Sequence, residues 1–533
     1  MGWFGSGSTG SNGSGIGSQG RPNDTTVVDE HPFWQASSER TPTDPYPGPV
    51  PTRPNVLLIT LDQYRGDALS GAGHPVVRTP HLDALAAEGV RLSHHFAQAA
   101  PCAPGRAALY TGTYQMTNRV VANGTPLDHR FDNVARFARR AGYRPTLFGY
   151  TDQGVDPRTV TDRSDPRLSD YEGFLPGFEI GLDLRGPAEL WLAWLAAQGH
   201  VFADAERALV TEPERPAELS QSTFLTDHLL DWVRRQDEPW FAHASYLRPH
   251  PPYRAAGHWS RAYDPVDMPA PTPAGEQLHG IHRALLADPR SAAPADPAKM
   301  ARWQAQYFGM CSEVDDQLGR VWAELRQLDQ WDDTIVIVTA DHGEQLGDQG
   351  LIEKAGFFEA SYHIIGIVRD PRHPAGAGSV VDDFTENVDI LPTIAHLLGE
   401  EIPAQCDGHP LTPFLDGERP ARWRTAAHWE WDWRDTLPTS AEIDPWRRDR
   451  DHCNLATLRT ATHAYVQFGN GSWRCYDLAA DPTWRTEVTD PAVVLPLAQS
   501  MIEWRSTHLD RNLTEFALRD GGVGRWPYSP LEV

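Results

Sequence analysis

Cys102 stands in the stretch PCAPGR at residues 101–106, between two prolines and four residues ahead of an arginine. The Ala107-Ala-Leu109 that follows reads as the start of a helix, which places residue 102 near the positive end of a dipole, where an anion is stabilised. A buried structural thiol is the plainer alternative. Asp341-His342 follows an apolar run at 334–340 and offers a carboxylate oxygen beside an imidazole nitrogen, a pair suited to a divalent metal. A helix cap and a surface histidine would account for the same two residues. Asp62-Gln63, after another apolar run, would complete a metal shell, unless Asp62 merely caps the next turn. His250 in RPHPP sits on a stiff, proline-flanked corner that suits holding an imidazole still, or serves as a satisfied structural histidine. Asn123 in NGT reads, on local sequence, as a turn residue. Lys354 is one of two lysines in 533 residues, the other being Lys299. A compact point charge kept near the candidate metal pair does what a planar guanidinium would not, against the competing reading of chance survival.

These positions hang on four separated segments that look alike. NVLLIT (55–60), TLFGY (146–150), WFAHASYL (240–247) and TIVIVTA (334–340) are short, apolar and partly β-branched. Each is predicted as a buried strand that delivers polar side chains just past its carboxyl end, where open α/β sheets build their sites. From Asn55 onward such runs alternate with amphipathic helical stretches, which predicts an α/β domain with a mixed, largely parallel central sheet flanked by helices. The length allows one large core with a smaller partner. The expected division is a flexible Gly/Ser/Pro-rich arm over 1–50, a catalytic domain over 51–425 and a small α+β subdomain over 426–533. That subdomain should hold antiparallel strands within 455–478 turning at Asn470-Gly471, an amphipathic helix over 491–509, and an extended tail in the last twenty or so residues.

Lys and Arg number 47 against 72 Asp and Glu, a formal net charge of −25. That balance argues against nucleic acid and anionic membranes as partners but not against a small anionic substrate held by a few focused cations. No apolar run approaches a membrane span, and the first residues lack the basic and apolar regions of a secretory signal. Five scattered cysteines (Cys102, Cys311, Cys406, Cys453, Cys475) without a CxxC read as reduced thiols, so a cytoplasmic protein is expected.

Taken together, PNVLLITLDQ, CAPGRAALYTG, RPHPPY, DHGEQLGDQGLIEK, ENVDILPTIAHLLG and CYDLAADP resemble, in order from about residue 54 to 482, the formylglycine-dependent sulfatases of the alkaline phosphatase superfamily. The resemblance implies an alkaline-phosphatase-like sandwich and a metal-dependent ester hydrolase. It implies that a separate maturation enzyme oxidises Cys102 to formylglycine, whose hydrate is a geminal diol. One diol oxygen attacks sulfur or phosphorus, and the other later collapses to the aldehyde and expels the bound oxyanion. Pro104 and Arg106 would serve recognition by that maturation enzyme, and Arg106 would then steady the diol. His250 and Lys354 would hold the non-bridging oxygens, and one of them, or a neighbour, would protonate the leaving alcohol. Asp62, Gln63, Asp341, His342 and residue 102 would ligate one divalent ion, Mn²⁺ in preference to Ca²⁺, because the set includes an imidazole and Ca²⁺ prefers oxygen alone.

The chain departs from the commonest pattern in ways that point to one branch. Asp62-Gln63 with Asp341-His342, in place of the Asp-Asp and Asp-Asn pairs that surround calcium, is similar to the phosphonate monoester hydrolases and phosphodiesterases. Asn123 and Tyr150, as substrate-binding residues, fit the same branch. Glycine at 105 replaces the usual serine, Gln349 stands where many relatives have histidine, and Asp152 has no counterpart. The expected reaction is hydrolysis of monoanionic phosphonate monoesters and phosphodiesters. The alternative is an arylsulfatase-type ester hydrolase. A non-catalytic protein on the same fold is disfavoured because every element of the chemistry is present at once. Assembly into a homo-oligomer is left open.

Overall fold

The structure is a computed structural model that describes residues 53–434, 449–511, 513–514, 516–519, 522–525 and 529–530. The arm expected over 1–50 lies outside the described residues.

The four runs are strands. β1 (Asn55–Leu61), β4 (Thr146–Gly149), β6 (Phe241–Tyr246) and β7 (Thr334–Thr339) are buried along their whole length. They are joined in one sheet by β2 (Val90–Phe96), β5 (Glu179–Asp183), β8 (Gly366–Arg369) and β9 (Ser379–Glu386). The order is β5-β4-β6-β1-β7-β8-β2-β9. Every neighbouring pair is parallel except the two involving β8, which runs against β7 and β2. The expected mixed, largely parallel sheet is present.

Near-continuous apolar strands follow from burial on both faces. Along β1 successive side chains alternate between two cores: Leu57, Ile59 and Leu61 enter one, Val56 and Leu58 the other. The first core is covered by α1 (Pro80–Glu88), α4 (Gln221–Val233) and the 31-residue α5 (Pro297–Gln327). The second is covered by α2 (Cys102–Thr111), α3 (Val134–Arg140) and α6 (Ile390–Leu397). Helix α5 begins as its sequence dictates, with Asp296 capping Ala298 N–H at 2.9 Å and Pro297 in the first turn.

A second sheet runs β13-β12-β11-β10-β3. Four of its strands are β10 (Ala426–Asp432), β11 (Asn454–Thr460), β12 (His463–Phe468) and β13 (Trp473–Asp477), antiparallel in succession. The fifth, β3 (Ala99–Ala100), comes from the residues just before Cys102 and pairs with β10 through Trp431↔Ala100. Helix α7 (Pro491–Thr507) matches the predicted amphipathic stretch. The extended tail is a correction: β14 (Phe516–Arg519), β15 (Gly522–Arg525) and β16 (Ser529–Pro530) pair into a small antiparallel sheet. No helix among the described residues is long and apolar enough to cross a membrane.

Candidate active site

Four strand ends bring the chemistry together. Asp62 follows β1, Tyr150 follows β4, His250 lies past β6 and Asp341-His342 past β7. Between β3 and these ends sits α2, whose ten residues are all buried. Such a helix has no polar face because no face meets water. Cys102 is its first residue. Pro104 fits at the third position, where a backbone N–H has no intrahelical acceptor to lose, and the orphan N–H of Ala103 donates to Asn123 Oδ1 at 3.0 Å.

Asp62, Cys102, Asp341 and His342 converge so that one ligand atom from each lies within 4.8 Å of all the others. His342 Nε2 is 3.2 Å from Cys102 Sγ and 3.8 Å from both Asp62 Oδ1 and Asp341 Oδ2. Its other nitrogen, Nδ1, donates to the Gly343 carbonyl at 3.0 Å, which fixes the tautomer and turns the Nε2 lone pair into the cluster. Asp62 Oδ1 is buried with no hydrogen-bond partner among the described residues. An orphaned buried carboxylate oxygen facing an imidazole lone pair and a second carboxylate is what a divalent cation requires, so these residues fit a metal. Burial alone would raise the Asp62 pKa, but His250, Arg106, His342 and Lys354 outweigh it and hold the carboxyl well below its usual range. A second acidic group, Asp128, His129 and Asp156, does not compete. Arg158 takes its carboxylates at 2.8 and 2.7 Å.

Arg106 organises the floor. Fully buried, its guanidinium donates to Asp341 Oδ2 at 2.8 Å, Asp62 Oδ2 at 3.1 Å and Ser245 Oγ at 2.8 Å, and lies 4.4 Å over the Tyr150 ring. Its Nε also pairs with Asp152 at 3.4 Å. Tyr150 donates its hydroxyl to Asp62 Oδ2 at 2.5 Å, so it steadies a metal-site carboxylate. Exposed Asn123 stands at the mouth and caps α2 through its oxygen.

Lys354 reaches the same space from the far side. Its Nζ is 2.8 Å from His250 Nε2, 2.9 Å from Gln63 Oε1 and 3.2 Å from Glu353 Oε2. His250 Nδ1 donates to the Pro251 carbonyl at 2.7 Å, which leaves Nε2 to accept from Lys354. Burial would lower the Lys354 pKa, but the negative charges of Glu353, Asp62 and Asp341 hold it above the usual lysine range. Gln63 was read as a metal ligand; here its amide oxygen accepts from Lys354 while its amide nitrogen donates to Glu353 at 3.2 Å and to Glu344. Glu344 and Glu353 fall inside the DHGEQLGDQGLIEK block, yet nothing in their spacing singled them out. A cavity of about 190 Å³, walled by Pro101, Ala355 and Trp431, opens beside Lys354.

One expectation about Cys102 is reversed. The helix N-terminus was read as favouring an anion there, but burial, followed by the charges of Asp62, Asp341 and Asp152, pushes the thiol well above its ordinary pKa, with Lys354 opposing. Half a unit charge from a dipole does not offset desolvation plus three carboxylates. As a thiol, residue 102 is a poor nucleophile.

Gly105 has a steric explanation. A Cβ there would lie 2.3 Å from the Asp341 carbonyl oxygen and 2.9 Å from that of Ala99, so α2 touches backbone on two sides. Gly105→Ser should therefore cost about 1–3 kcal/mol by overpacking and push Asp341 out of register. Thermal unfolding and metal titration of the variant should both weaken; an unchanged melting temperature with unchanged metal affinity would refute this account.

The family described as Sulfatase matches residues 54–400, and the one described as N-sulphoglucosamine sulphohydrolase, C-terminal, matches 347–507. The chain is 36% identical over 510 residues to the multifunctional alkaline phosphatase superfamily protein PehA of Trinickia caryophylli, covering 89% of this chain and 99% of that protein. The crystal structure of a phosphonate monoester hydrolase of Agrobacterium radiobacter superposes with a TM-score of 0.82 at 41% identity, covering 89% of this chain and 99% of the other. The phosphonate monoester hydrolase SpPMH from Silicibacter pomeroyi superposes with a TM-score of 0.80 at 33% identity, with the same coverage. A buried acid–imidazole cluster at the carboxyl edge of this sheet, with the family match running through every strand that builds it, makes the chain a hydrolase of the sulfatase family, in the alkaline phosphatase superfamily.

Proposed function

We propose that the protein hydrolyses monoanionic phosphonate monoesters and phosphodiesters at a divalent metal ion, with residue 102 matured to formylglycine. The observation that carries this reading is the convergence of Asp62, Cys102, Asp341 and His342 on one point beside the Lys354–His250 pair. Two carboxylates and an imidazole favour Mn²⁺ over Ca²⁺. The metal, held by Asp62, Asp341, His342 and residue 102 with Gln63 Oε1 close by, would supply Lewis acidity at the attacking and non-bridging oxygens. A hydrated aldehyde at residue 102 would supply the oxygen nucleophile that a buried thiol cannot. A maturation enzyme is then a necessary partner, and a cytoplasmic location follows from the reduced cysteines.

The chain's own groups do the rest. Lys354, kept protonated, holds a non-bridging oxygen by charge and hydrogen bond. Lys354 can give the leaving alcohol its proton, directly or by way of His250 Nε2, which accepts from it. Arg106 and Tyr150 keep Asp62 ionised and still. Asn123, with its oxygen engaged by α2, presents amide N–H donors at the mouth. The phosphorus preference is supported by the likeness to two phosphonate monoester hydrolases and by Gln63, Asn123, Tyr150 and His342.

The test compares kcat/KM for an aryl phosphonate monoester, diaryl phosphate, aryl sulfate and aryl phosphate sharing one leaving group. The phosphonate or diester should lead. Tenfold corresponds to about 1.4 kcal/mol of transition-state preference. An aryl sulfate ahead by more than that makes the enzyme an arylsulfatase and ends the phosphorus reading.

A further inference from the structure

Asp152 is unused by the mechanism above, and its setting is costly. It follows β4 with φ +52, left-handed backbone that a non-glycine residue adopts only when its surroundings impose it. Its side chain is 11% exposed, at the edge of an otherwise closed cluster. Among the described residues its oxygens accept no hydrogen bond, and its ion-pair partner is Arg106 Nε at 3.4 Å, an N–H already committed to Asp341 at 2.8 Å. Arg106 is already engaged by Asp62 at 3.1 Å and Asp341 at 2.8 Å. Burial, with Asp62, Asp341 and Glu172 adding to it and Arg106 opposing, lifts its pKa to about 7. Strain, burial and a long, shared ion pair at one residue mark a functional position rather than a structural brace.

We propose that Asp152 is a specificity-determining residue that confines the site to singly charged tetrahedral groups. Its carboxylate shares the Arg106 Nε with Asp341 and stands close enough for its charge to act on residue 102, so it lies beside the residue that a bound ester must approach. A phosphonate monoester, phosphodiester or sulfate ester brings one negative charge. A phosphate monoester brings a second, with a pKa of about 6, and that charge meets Asp152 at close range in a poorly solvated site. The inference rests on the proposed ester-hydrolase reading but not on phosphorus over sulfur.

The experiment measures binding of two isosteric anions to the metal-loaded enzyme by calorimetry at pH 8.5: benzenesulfonate, with one charge, and phenylphosphonate, with two. In Asp152→Asn the affinity ratio of phenylphosphonate to benzenesulfonate should rise at least tenfold over wild type, and the kcat/KM ratio of aryl phosphate to diaryl phosphate should rise with it. Asp152→Ser, which removes the charge with a smaller side chain, should move both ratios the same way. Ratios within twofold of wild type overturn the proposal. If neither variant folds, wild type decides: benzenesulfonate must bind at least as tightly as phenylphosphonate, and a wild-type preference for the dianion refutes the role. Should aryl sulfate lead the substrate panel, the phosphorus reading falls alone, and the kinetic comparison is repeated with aryl sulfate as the singly charged reference.

Discussion

Cys102→Ala is expected to lower kcat/KM by about 10⁴-fold or more, because it removes the covalent nucleophile's precursor while leaving only positioning and charge stabilisation. The fold should survive. Residue 102 opens a helix, alanine is the best helix former, and among the described residues the sulfur removed makes one hydrogen-bond contact, to His342 Nε2. The matching measurement is mass spectrometry of the peptide spanning residue 102, from protein made alongside an active maturation enzyme. It should show the aldehyde or its hydrate. An unmodified thiol in a fully active preparation would sink the formylglycine reading, and an active Cys102→Ala would sink the covalent one.

Removing the metal should be nearly as damaging to turnover and should also reach stability. Asp62 and Asp341 are buried at 1% and 0% exposure, and among the described residues the fully buried countercharge they share is Arg106. Chelation is expected to cut kcat/KM by about 10³-fold or more, the scale lost when a principal electrostatic stabiliser is deleted. It should also lower the melting temperature, since a ligand at 1,000 times its Kd contributes about 4 kcal/mol. Mn²⁺ should restore activity better than Ca²⁺ at equal occupancy. Full recovery with Ca²⁺ alone would mean that His342 stands outside the coordination sphere. Asp341→Asn, assayed for bound metal, should show reduced content even where the protein remains folded.

The four strands were legible because burial on both faces leaves almost no polar residue inside them, so their ends stand out. Asp62, Tyr150, His250 and Asp341-His342 were found for that reason. The partners of Gln63 were not, since Glu344, Glu353 and Lys354 come from 281, 290 and 291 residues away and reach it only once β1 and β7 are paired. The state of the Cys102 thiol was misread because a helix start is local, whereas the carboxylates that oppose a thiolate arrive from three other segments. The tail was misread because β14–β16 pair only with one another and carry no long apolar run. In sequence Gly105 is only a departure from the usual serine; its reason, the carbonyl of Asp341, is 236 residues distant in sequence and in contact in space.

Helix α2 has no surface. Cys102 is 6% exposed, and Ala103 and Arg106 are at 0%. Every residue from 102 to 106 is shut in between two sheets, out of reach of another protein. On the proposed formylglycine reading, oxidation of Cys102 belongs to the period before the chain closes over it. Synthesis would then set a deadline: β7, whose following residue pair includes Asp341 against α2, emerges more than 200 residues after the cysteine, and that interval would be the time for the modification. On that reading, a molecule that misses it folds with its thiol shut in.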